Sequence, residues 1–200
     1  MPAARRETFA ERRARRAAVD DPALVLEAAA RFLEARSRSI DEVRRRLTTA
    51  GYRPELVDGA IDRLTDLGVL DDETFARAWV ESRDRARPRG ERAIRDELRR
   101  KGIARDLSDA ILAERRAGAG PGDDADREGS EAGPGADRRA ADRLLAKHAR
   151  ALARVVDPRQ RRQRAYMLLA RNGFDPETCR EAAAAMIATA TDDDALESVE

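Results

Sequence analysis

The chain has 200 residues, 40 of them Lys or Arg and 39 Asp or Glu, with 40% charged and only 4% aromatic side chains. That composition excludes one large apolar core and fits a helical, surface-rich protein. No apolar run approaches the roughly 20 residues that span a bilayer, and no apolar segment follows the N-terminal arginines as in a secretory signal. A membrane partner is therefore not expected. A single cysteine, Cys179, excludes an internal disulfide and fits a reducing, cytoplasmic setting. The net charge of +1 points to no partner, but its distribution is uneven. Residues 83–101 carry nine Lys/Arg against four Asp/Glu, and residues 138–171 carry eleven against two. The acids gather in 123–137 and in the last ten residues, so basic stretches alternate with acidic appendages.

In chain order, residues 1–21 form a basic arm with no clean apolar stripe, and they read as disordered or as a frayed helix. A first three-helix module covers 22–70. Leu24, Ala28, Phe32 and Ala35 recur at helical spacing and predict the inward stripe of its first helix. Ser39-Ile-Asp-Glu42 has the form of a capping box opening the second helix, with Val43 and Leu47 inward. Gly51 ends that helix, Pro54 opens the third, and Tyr52 and Val57 have the spacing of a hydrophobic staple.

A second module covers 71–117. Asp71 caps its first helix, which turns Phe75, Trp79 and Val80 toward the core; Ile94 and Leu98 line the second helix, and Leu107, Ile111 and Leu112 the third. Residues 118–136, rich in Gly and acids, read as a flexible linker. A third module covers 137–190, with Leu144, Leu145 and Leu152 on its first helix and Ala165, Leu168 and Leu169 on its second. Residues 191–200 read as a disordered acidic tail.

One pattern recurs in all three modules. A charged helix ends in Leu, and four residues later Gly is followed by a large apolar side chain: Leu47 to Gly51-Tyr52, Leu98 to Gly102-Ile103, Leu169 to Gly173-Phe174. Phe174-Asp-Pro176-Glu also repeats the logic of Tyr52-Arg-Pro54-Glu. The first two glycines are 51 residues apart and the next two 71, and removing an insert of about 20 residues equalises the intervals. The expected fold is all-α, an elongated array of three tandem three-helix repeats. Each repeat buries its apolar face against its neighbours, which suits a binding protein better than an enzyme.

The candidate binding residues are basic and lie on or around the second helices. They are Arg44 and Arg45 in module one; Arg83, Arg85, Arg87, Arg89, Arg92, Arg95, Arg99 and Lys101 in module two; and Arg161, Arg162 and Arg164 in module three. Arginine's planar fork suits carboxylate or phosphate. The competing account is a solvated face neutralised by Glu91, Asp96 and Glu97. A duplex-reading helix-turn-helix is disfavoured, because the third helices carry Asp58, Asp62, Asp66, Asp106, Asp109 and Glu181, which phosphate would repel. Asp71-Asp72-Glu73 is accounted for by a helix cap rather than a metal. His148 has no catalytic grouping around it, and Cys179 sits at an inward position as a buried thiol. No catalytic residue, metal or cofactor is expected.

The run Leu64-Thr-Asp-Leu-Gly-Val-Leu-Asp-Asp-Glu-Thr-Phe-Ala76, then Arg87-Pro-Arg-Gly90, then Ile94-Arg-Asp-Glu-Leu-Arg-Arg-Lys-Gly-Ile103, resembles the bacterial RecX family. Arg36-Ser-Arg-Ser39 with Glu42 and Leu47 is similar to that family's first module. The resemblance implies three tandem three-helix repeats and a non-enzymatic role. Its members bind the RecA recombinase, lodge in the groove of its filament on single-stranded DNA or cap it, and limit filament growth, ATP hydrolysis, strand exchange and co-protease activity. A monomer acting on RecA and its filament is the expectation, with weak direct binding to single- or double-stranded DNA. The alternative is a single-strand-binding protein acting by strand competition, against which stands the commitment of most aromatics to the core.

Overall fold

The structure is a computed structural model that describes residues 7–117 and 135–197, with side chains for 7–117 and 135–187. Among the described residues all regular structure is helical: α1 (Phe9–Ala17), α2 (Pro22–Glu34), α3 (Ile40–Ala50), α4 (Pro54–Asp66), α5 (Asp72–Ala86), α6 (Glu91–Arg100), α7 (Arg105–Arg116), α8 (Ala136–Ala153), α9 (Pro158–Arg171) and α10 (Pro176–Glu197). The expected modules correspond to α2–α4, α5–α7 and α8–α10. The chain divides into two compact units, one of residues 1–76 with 100–104, the other of residues 77–99 with 105–200.

Both ends contain helix where they are described. The N-terminal arm contains the helix α1, because Thr8 and Glu11 form a complete capping box that satisfies its first N–H groups. At the other end α10 continues to Glu197, so the described part of the expected disordered tail is helical. Of the expected linker, residues 118–134 lie outside the described residues, and Ala136 already belongs to α8.

In the first unit, Val25, Ala29, Val43, Leu47, Val57, Ala60, Ile61, Leu64 and Leu70 form the core. The inward stripe of α2 is set one residue from the expected one: Val25 and Ala29 are buried, while Leu24 is half exposed. Ala29, one of four alanines on α2, is fully buried in this core. Ser39 caps α3 with its full capping box, and Gly51 ends α3 in the left-handed conformation. Pro54 opens α4 at a position where its missing N–H costs no hydrogen bond.

In the second unit, Ala140, Ala141, Leu144, Leu145, Leu152, Ala165, Leu169, Phe174, Cys179, Ala182 and Ala183 form the core. The Cys179 thiol lies against the Phe174 carbonyl, and burial pushes its pKa up, which suits an inert packing group. Ser108 rather than Leu107 is buried on α7. Trp79 is only partly buried and is not a core residue: its Nε1–H donates to Glu97 Oε2 at 2.9 Å.

The Leu-x-x-x-Gly turns explain how neighbouring modules lock. Ser39 Oγ, at the start of α3, donates to the Lys101 carbonyl at 2.6 Å, just before Gly102. Gly90 N–H, at the start of α6, donates to the Asn172 carbonyl at 3.0 Å, just before Gly173. Each bond satisfies a carbonyl that a helix end leaves without a partner. A Cβ on Gly102 would collide with the Asp41 side chain, and one on Gly173 would lie 2.5 Å from Ala93 Cβ. The glycine is therefore needed twice over, for its positive φ (+78° and +83°) and for the space its missing side chain leaves.

Candidate partner-binding surface

In the first unit, the expected residues on α3 are exposed but not free. Arg44 reaches Asp58 of α4 at 3.3 Å, and Arg45 pairs with Asp41 at 2.6 Å. Lys101 is mostly buried and donates to Glu42 Oε1 at 2.6 Å, adding a charged bond to the Ser39 lock. Burial alone would raise the Glu42 pKa, but the bonds from Lys101 and the Ser39 N–H outweigh it and hold the carboxyl below its ordinary range. Lys101 is thus a structural cation. Asp72 accepts the Ile40 N–H at 2.9 Å, and burial raises its pKa. Asp71 is the capping residue as expected, its Oδ1 accepting from the Glu73 and Thr74 N–H groups at 2.8 and 3.3 Å.

In the second unit, α5 and α6 present two kinds of arginine. Arg83 lies over the Trp79 ring at 4.2 Å and pairs with Glu97 at 2.5 Å, with side-chain exposures of only 17% and 13%. Arg89 stands 3.9 Å from the same carboxylate. Arg95 bridges Glu91 at 2.8 Å and Asp109 at 3.0 Å; burial works against its charge, but those two bonds raise its pKa. Arg85 pairs with Glu81, and Arg99 with Asp96 at 3.7 Å, both on open surface. Such exposed pairs are screened and contribute little. Arg87 and Arg92 are exposed, and no carboxylate among the described residues pairs with either.

Among the described residues the most buried cation carries no local sequence signal. Arg115, at 7% exposure, donates to both carboxylate oxygens of Asp84 on α5 and to Asp137 on α8. Asp137 also accepts the Glu91 N–H at the start of α6, at 3.2 Å. One guanidinium therefore ties α5, α7 and α8 together, and its pKa is pushed well above the ordinary arginine value.

In α9 the situation is reversed. Arg161 donates to the Val155 carbonyl at 3.0 Å, while Arg162 and Arg164 are exposed. Among the described residues no carboxylate pairs with Arg162 or Arg164. The structure therefore divides the expected residues. Arg83, Arg95 and Lys101 hold the fold, Arg44, Arg45, Arg85, Arg89 and Arg99 are locally neutralised, and Arg87, Arg92, Arg162 and Arg164 have no carboxylate partner among the described residues. His148 is exposed, and no cluster of His, Cys, Asp or Glu suited to a metal occurs among the described residues. No helix among them is long and apolar enough to cross a membrane.

Residues 26–64 match the first three-helix domain of RecX, and residues 71–112 match the second. The "Regulatory protein RecX" of Mycobacterium sp. (strain KMS) is 44% identical over 89 residues, covering 44% of this chain and 49% of its own. That of Chlorobium limicola is 38% identical over 86 residues, covering 43% and 54%. The chain spans about half the length of the curated relatives it matches. The crystal structure of RecX from Lactobacillus salivarius superposes with a TM-score of 0.64 at 18% identity, covering 84% of this chain and 97% of that one. A second crystal structure, of regulatory protein RecX, gives 0.62 at 20% identity, covering 78% and 70%. At these identities the likeness is one of fold. Two stretches of the chain are thus similar to the two three-helix domains of RecX, and its helical framework is that of the RecX crystal structures.

Proposed function

We propose that the chain is a cytoplasmic regulator of the RecA recombinase that acts by binding, as a monomer, to the RecA filament on single-stranded DNA. Occupancy of the groove or the growing end then restrains filament growth, ATP hydrolysis, strand exchange and co-protease activity. The relatives it matches carry the name regulatory protein. The observation that carries the reading is the sorting of charge on α5 and α6. The acids Glu91, Glu97 and Asp109 are drawn into internal pairs, while Arg87 and Arg92 stay exposed and unmatched by carboxylates among the described residues. Exposed arginines that no carboxylate among the described residues matches are complementary to an acidic protein groove or to phosphate. Blocking by occupancy needs no catalytic group.

Co-sedimentation tests this reading. RecA filaments assembled on single-stranded DNA should carry the chain into the pellet, and R87A/R92A should weaken the apparent affinity at least about fivefold, or about 1 kcal/mol. Equal pelleting of the two proteins, or pelleting with RecA-free DNA as strong as with the filament, would contradict it.

A further inference from the structure

The α9–α10 face carries charge that nothing among the described residues neutralises. Residues 158–171 contain Arg159, Arg161, Arg162, Arg164 and Arg171 and no acid at all. The adjacent Asp157 is spent as the α9 cap, its Oδ1 accepting the Arg159 N–H at 3.0 Å. On α10, Glu181 is engaged with Arg138 at 3.4 Å. Among the described residues no ion pair involves Arg159, Arg162, Arg164, Arg171 or Arg180. Arg44 and Arg45 on α3 and Arg95 and Arg99 on α6, by contrast, have carboxylate partners.

These side chains line a built surface. Arg159, Arg162, Gln163 and Tyr166 follow i, i+3, i+4, i+7 spacing and share one face of α9. With Arg180 and Ala183 of α10 they line an open groove of about 280 Å³. Gln163 also borders a second depression of about 430 Å³, with Gln160, Arg164, Met167 and Arg171. Tyr166 packs against the core of the unit and stays partly exposed at the groove wall. Met167 is 47% exposed, an unusual placement for a thioether on a basic face.

Phosphate, amide-reading and stacking groups thus occur side by side. An acidic protein helix would use the arginines but leave Tyr166, Met167 and the two glutamines without a role. A single nucleic-acid strand uses all of them: guanidinium on phosphate, ring and thioether against a base, glutamine on a base edge. We propose that the α9–α10 groove is a docking site for single-stranded DNA, with Arg159, Arg162 and Arg180 on phosphates and Tyr166 against a base. The site deepens the RecA-filament reading and rests on it for its setting, since the filament presents such a strand.

The test is fluorescence anisotropy of a labelled oligothymidine with the full chain, without RecA, across about 50–200 mM salt. Each single-strand phosphate contact contributes about 0.7 to the log–log salt slope. R159A/R162A/R180A should therefore bind at least about tenfold more weakly, with a slope flatter by about 2. Tyr166→Leu keeps the bulk against the core; it should weaken binding several-fold and leave the slope unchanged. R44A/R45A should bind within about twofold of the parent. Binding by the triple variant equal to the parent, an equal loss in R44A/R45A, or no saturable binding by the parent would each overturn the site. Loss of filament binding with free-strand affinity unchanged would also overturn it and assign the groove to an acidic protein surface. If the triple variant loses the strand but still inhibits RecA at substoichiometric ratios, the site stands and the regulatory reading does not depend on it.

Discussion

Arg115 shows how much a single side chain can organise here. Its partners lie 31 and 22 residues away on other helices, so no local pattern marks it in the sequence. From sequence alone it is one more arginine at the end of a charged helix. Arg115→Ala would leave Asp84 and Asp137 facing each other without a cation, and loss of one partner of a buried ion pair costs about 3–5 kcal/mol. Urea denaturation should show that loss, whereas R85A, which removes an exposed pair, should change stability by less than about 0.5 kcal/mol. Glu42 supplies a test with a sign. Its folded pKa is depressed below 4.5, so its stabilisation is present above that value and is lost as pH falls through the folded pKa. Glu42→Gln should cost about 1.5–3 kcal/mol at neutral pH, and the gap to the parent should close on acidification below 4.5. A gap independent of pH would show that packing, not charge, holds the Ser39–Lys101 contact.

At the level of elements, the repeated turns were the most legible feature. Gly51, Gly102 and Gly173 all take positive φ where the Leu-x-x-x-Gly spacing placed them, and the Ser39 box and the prolines of α4 and α10 fall where expected. These signals are local, so they survive without knowledge of packing. The register of α2, the half-buried Trp79 and the sorting of arginines were not legible, because each depends on what faces the helix. Arg83 with Glu97 and Arg95 with Asp109 pair across 14 residues, between helices and not along one. The same limit hid α9: its surplus of arginines was countable, but only the fold shows that no carboxylate among the described residues pairs with Arg159, Arg162 or Arg164. The locking role of the turns makes a further prediction. Gly102→Ala meets both a positive φ and Asp41, whereas Gly68→Ala meets a positive φ of +67° with nothing nearby. Strain alone costs about 1–2 kcal/mol, so G68A should lose about that much and G102A at least about 1–2 kcal/mol more by thermal or urea unfolding. Equal losses would remove the turn from its proposed role in joining modules.

Across the whole molecule, the stabilising cations and the available ones are different sets. Arg83, Arg95, Arg115 and Lys101 are engaged by the fold, while no carboxylate among the described residues pairs with Arg87, Arg92, Arg159, Arg162 or Arg164. A binding protein needs that separation, because a partner that must break internal ion pairs gains little from new ones. The central claim, regulation of RecA by occupancy, is tested most directly by single-stranded-DNA-dependent ATP hydrolysis by RecA, titrated with the chain. Inhibition well below one chain per RecA, weakened in R87A/R92A and kept in R85A, is the predicted result. Inhibition that begins only when the chain saturates the DNA, or none at any ratio, would contradict it.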